Sequence, residues 1–179
     1  MMSYLVRKIS RRENIDKIKN TNDIKELDAD VIMQEFRTAQ NAISTWSIDE
    51  LNNNCINQAV LAIATASSDL ETMHFIIINT DYLEQLGLDM NAEKKGDTPV
   101  EDLREIHRDI TNLKYGTIDK LIIMYNNIAS ENDADKYIIT KKRNEIKLIV
   151  KQALSQNRIN IDASNDHIRP KLIKLIEQQ

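Results

Sequence analysis

The sequence predicts an α+β fold, in which the N-terminal half builds a small antiparallel sheet of about three strands and the C-terminal half is rich in helices. Two observations lead to this prediction. Short runs rich in β-forming residues are confined to the first 80 residues. Glycine occurs only at positions 87, 96 and 116 and proline only at 99 and 170, so long stretches contain no helix breaker.

Three strands are predicted, at residues 3–10, 41–48 and 72–80. In the first, Leu5 and Ile9 share one side and Tyr4 and Val6 the other, and the second is rich in β-forming residues. The third is continuously apolar from Phe75 to Ile78, which is typical of a central strand covered on both faces.

Helices are expected wherever apolar residues recur at helical spacing. A helix near 28–39 would begin at Asp28 or Asp30, after a loop or marginal helix at 11–27. A short helix after Thr80 or Asp81 would end at Gly87, since glycine favours the left-handed position after a last turn. Longer helices are predicted at 54–66, 98–115, 117–130, 136–157 and 166–178.

The length of 179 residues and the 41% hydrophobic content fit a single domain over 1–179; residues 136–179 could alternatively form a basic helical C-terminal extension. The one cysteine, Cys55, excludes an internal disulfide and a multi-cysteine zinc site, and no cofactor is expected. No apolar run approaches the roughly 18 residues of a membrane span. A cytoplasmic protein is therefore predicted.

Charge is distributed unevenly along the chain, although the net charge is only −4. Residues 1–19 hold six basic and two acidic residues, residues 20–135 hold eight basic and 22 acidic, and residues 136–179 hold ten basic and four acidic. Two basic ends thus flank an acidic middle. They could neutralise the middle within the domain or between subunits, or they could bind nucleic acid or an acidic partner.

The candidate binding residues are the cations of the two ends and the single tryptophan, whose large ring with a polar N–H could anchor a core or a binding surface. They are Arg7, Lys8, Arg11, Trp46, Lys141, Lys142, Arg143 and Lys147. Few aromatic residues lie among the cations, which argues against recognition of bases by a row of stacking side chains.

The tripeptide His107-Arg108-Asp109 has the letters of the protein-kinase catalytic loop. Lys114 stands where such a loop needs asparagine, so a kinase is excluded. Thr98, Pro99 and Glu101 instead have the spacing of a capping box, which predicts a helix with His107 at the border of its apolar stripe.

His107, Arg108 and Asp109 are the candidate catalytic residues, because imidazole suits proton transfer near neutral pH. Asp102, Glu105 and Asp109 are the candidates for a divalent metal, although none is expected to bind one. Arg104 and Arg108 lie at ion-pairing spacing from the acidic residues of the same predicted helix.

Three segments resemble a family of small uncharacterised bacterial proteins: "SYLVRKISR" at 3–11, "TPVEDL" at 98–103 and "HRDI" with a following "NL" at 107–113. The resemblance implies a bacterial or phage source and a mobile-element or defence setting. It transfers no catalytic residue.

The leading functional hypothesis is a non-catalytic interaction or regulatory subunit that binds a protein partner or forms a homo-oligomer. It follows from the lack of phosphate-loop, nucleophile-elbow and zinc motifs and from the charge layout. The alternatives are a nuclease or other hydrolase that uses His107, Arg108 and Asp109, and a nucleic-acid-binding module that uses the basic ends.

Overall fold

The computed structural model describes residues 3–21, 23–114 and 116–177. Six strands of the described residues form one antiparallel sheet, in the order β4-β5-β2-β1-β3-β6. The strands are β1 (Tyr4–Ile9), β2 (Ile43–Ile48), β3 (Met73–Asn79), β4 (Asp89–Asn91), β5 (His107–Thr111) and β6 (Ile138–Lys141). The α+β class is confirmed.

The helices are α1 (Arg12–Asn20), α2 (Ala29–Glu35), α3 (Asn53–Ala66), α4 (Thr80–Leu86), α5 (Ile118–Ser130), α6 (Arg143–Ser155) and α7 (Arg169–Glu177). A 3₁₀ segment occupies Glu101–Ile106. In the described part of the chain, no helix combines the length and hydropathy needed to cross a bilayer.

The predicted sheet of about three strands is too small, because β4 was not predicted and β5 and β6 lie in segments predicted as helix. Residues 98–115 were predicted as one helix, but they form the 3₁₀ segment and then β5, and residue 115 lies outside the described residues. The start of the predicted helix at 136–157 is β6, which pairs with β3. The predicted helix at 166–178 is α7, with residue 178 outside the described residues.

Two apolar layers cover the sheet, one on each face. On the face that we call the α3 face, Val6, Phe75 and Ile77 pack with α3, α6 and α7. On the α5 face, Leu5 and Ile76 pack with α1, α2 and α5. The predicted burial of β3 on both faces is confirmed, because its apolar side chains alternate between the two layers.

Strand pairing brings distant parts of the chain to one end of the sheet. Ile9 in β1 lies opposite His74 in β3, and His74 lies opposite Thr140 in β6. The segment that follows β1 and the segment that follows β6 therefore emerge two strands apart, about 10 Å at the usual strand spacing. We call this the basic end of the sheet.

Candidate functional site

A cleft opens on the α3 face near the basic end, where the helices leave part of the sheet uncovered. Its volume is about 360 Å³. The sheet contributes to its lining Arg7, Lys8, Ser44, Trp46 and His107. The last turns of α3 and the segment before the 3₁₀ segment supply the opposite walls.

One wall of the cleft is the segment 94–100, which is held by hydrogen bonds at several points. The N–H of Gly96 donates to the carbonyl of Arg104 (2.9 Å), and Nε of Arg104 donates to the carbonyl of Thr98 (2.8 Å). The Thr98 hydroxyl is buried against that of Thr65 in α3, 2.9 Å away. The predicted capping box is therefore wrong, because Thr98 fixes this wall to α3 rather than beginning a helix.

Glycine is required at position 96 because the backbone there lies against the ring of Trp46. A Cβ atom at position 96 would lie 2.3 Å from Cη2 of Trp46 and 3.0 Å from Cβ of His107. Trp46 in turn contacts the His107 ring edge-on, with 5.2 Å between ring centroids. Trp46 and His107 are only 7% and 5% exposed, so both are packing residues whose remaining surface lines the cleft.

The tripeptide lies in β5, where alternate side chains point to opposite faces of the sheet. His107 and Asp109 lie on the α3 face, whereas the Arg108 guanidinium lies on the other side and donates to the carbonyls of Glu105 and His107. The structure thus brings two of the three candidate catalytic residues together and separates the third from them.

Both ring nitrogens of His107 face groups of the protein itself. Nδ1 lies 2.9 Å from the carbonyl oxygen of Lys94, an acceptor, so Nδ1 is the nitrogen that donates. Nε2 lies 3.5 Å from Oδ1 of Asp109, and that same oxygen accepts a hydrogen bond from the Ser44 hydroxyl at 3.0 Å. Each ring nitrogen therefore lies against an oxygen atom of the protein itself, which leaves neither directed at a substrate as a general base would be.

The candidate metal ligands are dispersed. Asp102 pairs with Arg158, Glu105 pairs with Lys95 at 2.5 Å, and Asp109 lies beside His107 but outside the cleft lining. Within the described ranges, no group of three or more histidine, cysteine or acidic residues is placed to hold a metal ion.

The basic end gathers most of the candidate binding cations. Lys141 ends β6 opposite Met73, the first residue of β3, and Lys142 and Arg143 follow at the start of α6. The α7 helix adds Lys171 and Lys174, which sequence reasoning missed because their closeness to Lys147 is visible only in the folded chain; one surface groove is lined by all three.

Acidic side chains neutralise part of the basic end. Arg143 pairs with Glu71 (3.4 Å), and Lys171 pairs with Asp69 (2.9 Å), where the hydrogen bond from Lys171 lowers the pKa of the Asp69 carboxyl. Among the described residues, neither Lys142 nor Lys174 takes part in an ion pair. Both are exposed, so these cations are available to an external anion.

Lys8 connects the cleft with the basic end. Its backbone lies opposite Phe75 in β3, one residue before the end of β1, and its side chain lines the cleft. The side chain is exposed, yet the protein around it removes part of its hydration and lowers its pKa. Arg7 also lines the cleft, but its guanidinium donates to the carbonyls of Glu35 and Ser44 and is therefore engaged within the protein.

Comparison of the chain with protein-family models, with curated proteins and with solved structures finds no match.

Proposed function

We propose that this protein is a nucleic-acid-binding module whose basic end contacts the phosphate backbone. The observation that supports the proposal is the convergence of separate basic segments: the cations after β1, those around the start of α6 and those of α7 lie around one end of the sheet. The cations of the basic end are Lys8, Arg11, Lys141, Lys142, Arg143, Lys147, Lys171 and Lys174.

An excess of positive charge at one end of the molecule suits a polyanion, because each phosphate contact releases condensed counterions. Such contacts position a strand without reading its sequence. A protein from a bacterial or phage defence or mobile-element setting, as the sequence resemblance implies, would meet nucleic acid there. This setting remains part of the proposal.

The test is the salt dependence of binding to a labelled single-stranded oligonucleotide, measured by fluorescence anisotropy. If four to six of the cations contact phosphates, the slope of log K against log salt is expected to be about −3 to −4. The double variant Lys142→Ala/Lys174→Ala should make this slope shallower by about 1.4, because two contacts are lost.

The matched control is Lys19→Ala/Lys25→Ala, which removes the same charge from exposed positions at the far end of α1 and just beyond it. The control should bind like the unchanged protein. A slope near zero, or equal losses in the two double variants, would refute binding through the basic end. Equal affinity for an acidic peptide of the same charge would identify a protein partner instead.

An interaction or regulatory subunit is the second candidate, and exposed apolar side chains favour it. Met33 on α2 is 69% exposed and Leu148 on α6 is 57% exposed. Light scattering coupled to size-exclusion chromatography tests self-association. A dimer that dissociates in Leu148→Lys but not in Met33→Lys would place the contact on α6, and a monomer at all concentrations would exclude a homo-oligomer.

A further inference from the structure

The cleft adjoins the basic end, and both contain Lys8. A strand whose phosphates lie along the basic end would therefore pass the mouth of the cleft. Single-stranded nucleic acids are commonly recognised when an unstacked base enters a protein pocket and is hydrogen-bonded at its edge. This inference rests on the proposed nucleic-acid binding and concerns what the cleft adds to it.

The volume of about 360 Å³ corresponds to roughly twelve water molecules at about 30 Å³ each, which is enough for one planar base. Apolar surface is supplied by Trp46 in β2 and by Ile63 and Ala66 in α3. These side chains can contact the faces of a ring, while polar groups at the opening remain available for its edge.

Asp97 is the acidic residue of the cleft lining, and its carboxylate favours a ligand with hydrogen-bond donors. Asp97 is exposed on the wall, and no other described residue forms a hydrogen bond or ion pair with its carboxylate. Asp109 lies outside the lining, accepts a hydrogen bond from Ser44 and is only 8% exposed. An ionised carboxylate can only accept, so a ligand that binds Asp97 must do so through N–H or O–H donors.

Guanine is the base whose edge best meets this requirement. Its N1–H and its amino group lie side by side and can donate to the two oxygens of one carboxylate. Adenine and cytosine place a ring-nitrogen acceptor next to the amino group, and uracil has carbonyls on both sides of its N–H. The second carboxylate oxygen would therefore be repelled by each of these bases.

We propose that the cleft binds an unpaired guanine of the nucleic acid, whose N1–H and amino group donate to the carboxylate of Asp97 while the ring lies against Trp46, Ile63 and Ala66. Lys8 at the mouth contacts the adjoining phosphate. The cleft thereby adds base selectivity to the sequence-independent attraction of the basic end.

The experiment has two arms, both with the full chain. In the first, GMP, AMP, CMP and UMP are titrated by calorimetry, and the fluorescence of Trp46, the single tryptophan, reports whether the cleft is occupied. GMP should bind most tightly and change the fluorescence. Asp97→Asn should weaken GMP binding by roughly 5- to 150-fold, the range expected for loss of one bidentate contact to a base.

Glu93→Gln is the matched control, because it removes one negative charge from an exposed position in the same loop but outside the cleft lining. It should leave GMP affinity unchanged. Equal affinities for the four nucleotides, or equal effects of the two variants, would overturn the assignment of guanine to Asp97.

The second arm compares single-stranded oligonucleotides with and without guanine. Tighter binding of the guanine-containing strand that is lost in Asp97→Asn supports the inference. Salt-dependent binding that ignores guanine overturns the inference and leaves the proposed function standing. If GMP binds but neither oligonucleotide does, the proposed function fails and the cleft is a site for free nucleotides.

Discussion

Replacing Gly96 by alanine should destabilise the protein through a single close contact. The added Cβ would lie 2.3 Å and 2.7 Å from Cη2 and Cζ3 of Trp46. The ring cannot retreat easily, because it is buried against His107 and α3. Overpacking of this kind typically costs about 1–3 kcal/mol of stability. In a chain of this length, a loss of about 2 kcal/mol lowers Tm by about 4–8 °C.

Thermal and urea unfolding would measure the loss, and the emission of Trp46 in the folded protein would show whether its surroundings have changed. Gly116→Ala is the matched control, because no atom lies within 4 Å of a Cβ placed there. It should change the free energy of unfolding by less than about 0.5 kcal/mol.

Repeating the Gly96→Ala substitution in a Trp46→Phe variant tests whether the cost depends on the tryptophan ring. Trp46→Phe shortens the side chain that Gly96→Ala would meet, so the alanine substitution should cost less in that background than in the unchanged protein. Equal costs in the two backgrounds, or an unchanged Tm and emission in Gly96→Ala, would refute the proposed contact.

Three further predictions concern buried polar groups. His107→Ala should lower the free energy of unfolding by about 1–3 kcal/mol in urea titration, because it removes a buried ring packed on Trp46; full stability together with loss of an activity would instead indicate a catalytic residue. Glu35→Ala should cost a similar about 1–3 kcal/mol, because its buried carboxylate accepts from the N–H groups of Ser10 and Arg11; Glu35→Gln should cost less. Burial raises the pKa of Tyr125 to about 12, so its contribution to stability is intact below pH 10 and lost as pH rises towards 12, and Tyr125→Phe should flatten this alkaline loss in Tm; an unchanged profile would contradict the shift.

The local sequence pattern was sufficient to predict the strands and helices whose buried side chains recur periodically. The strands at β1, β2 and β3 and the helix α3 were predicted within a few residues, because their side chains alternate or recur as each element requires. The cap of α4 was misassigned by one residue: Asn79 accepts from the N–H of Asp81, while Gly87 ends the helix with φ 62° as expected.

Long-range pairing explains what the sequence could not show. Val100, Leu103, Ile106 and Ile110 have helical spacing, yet the chain becomes extended at His107 because β2 supplies a strand to pair with. Asp97 and Lys8 could not be placed in one cleft from the sequence, since only the register of β1 against β2 and the anchored segment 94–100 brings them together. Of the candidate site, the cations were foreseeable and the concave shape was not.

The central place of β1 has a consequence for how the chain folds. Val6 pairs with Trp46 and Tyr4 with Asn79, so the middle of the sheet is closed by segments tens of residues apart in sequence. Bringing such segments together costs loop-closure entropy before their contacts form. Folding is therefore expected to be slow relative to a helical bundle of the same size. During synthesis β1 would leave the ribosome well before β3, and its apolar side chains would need protection in the interval.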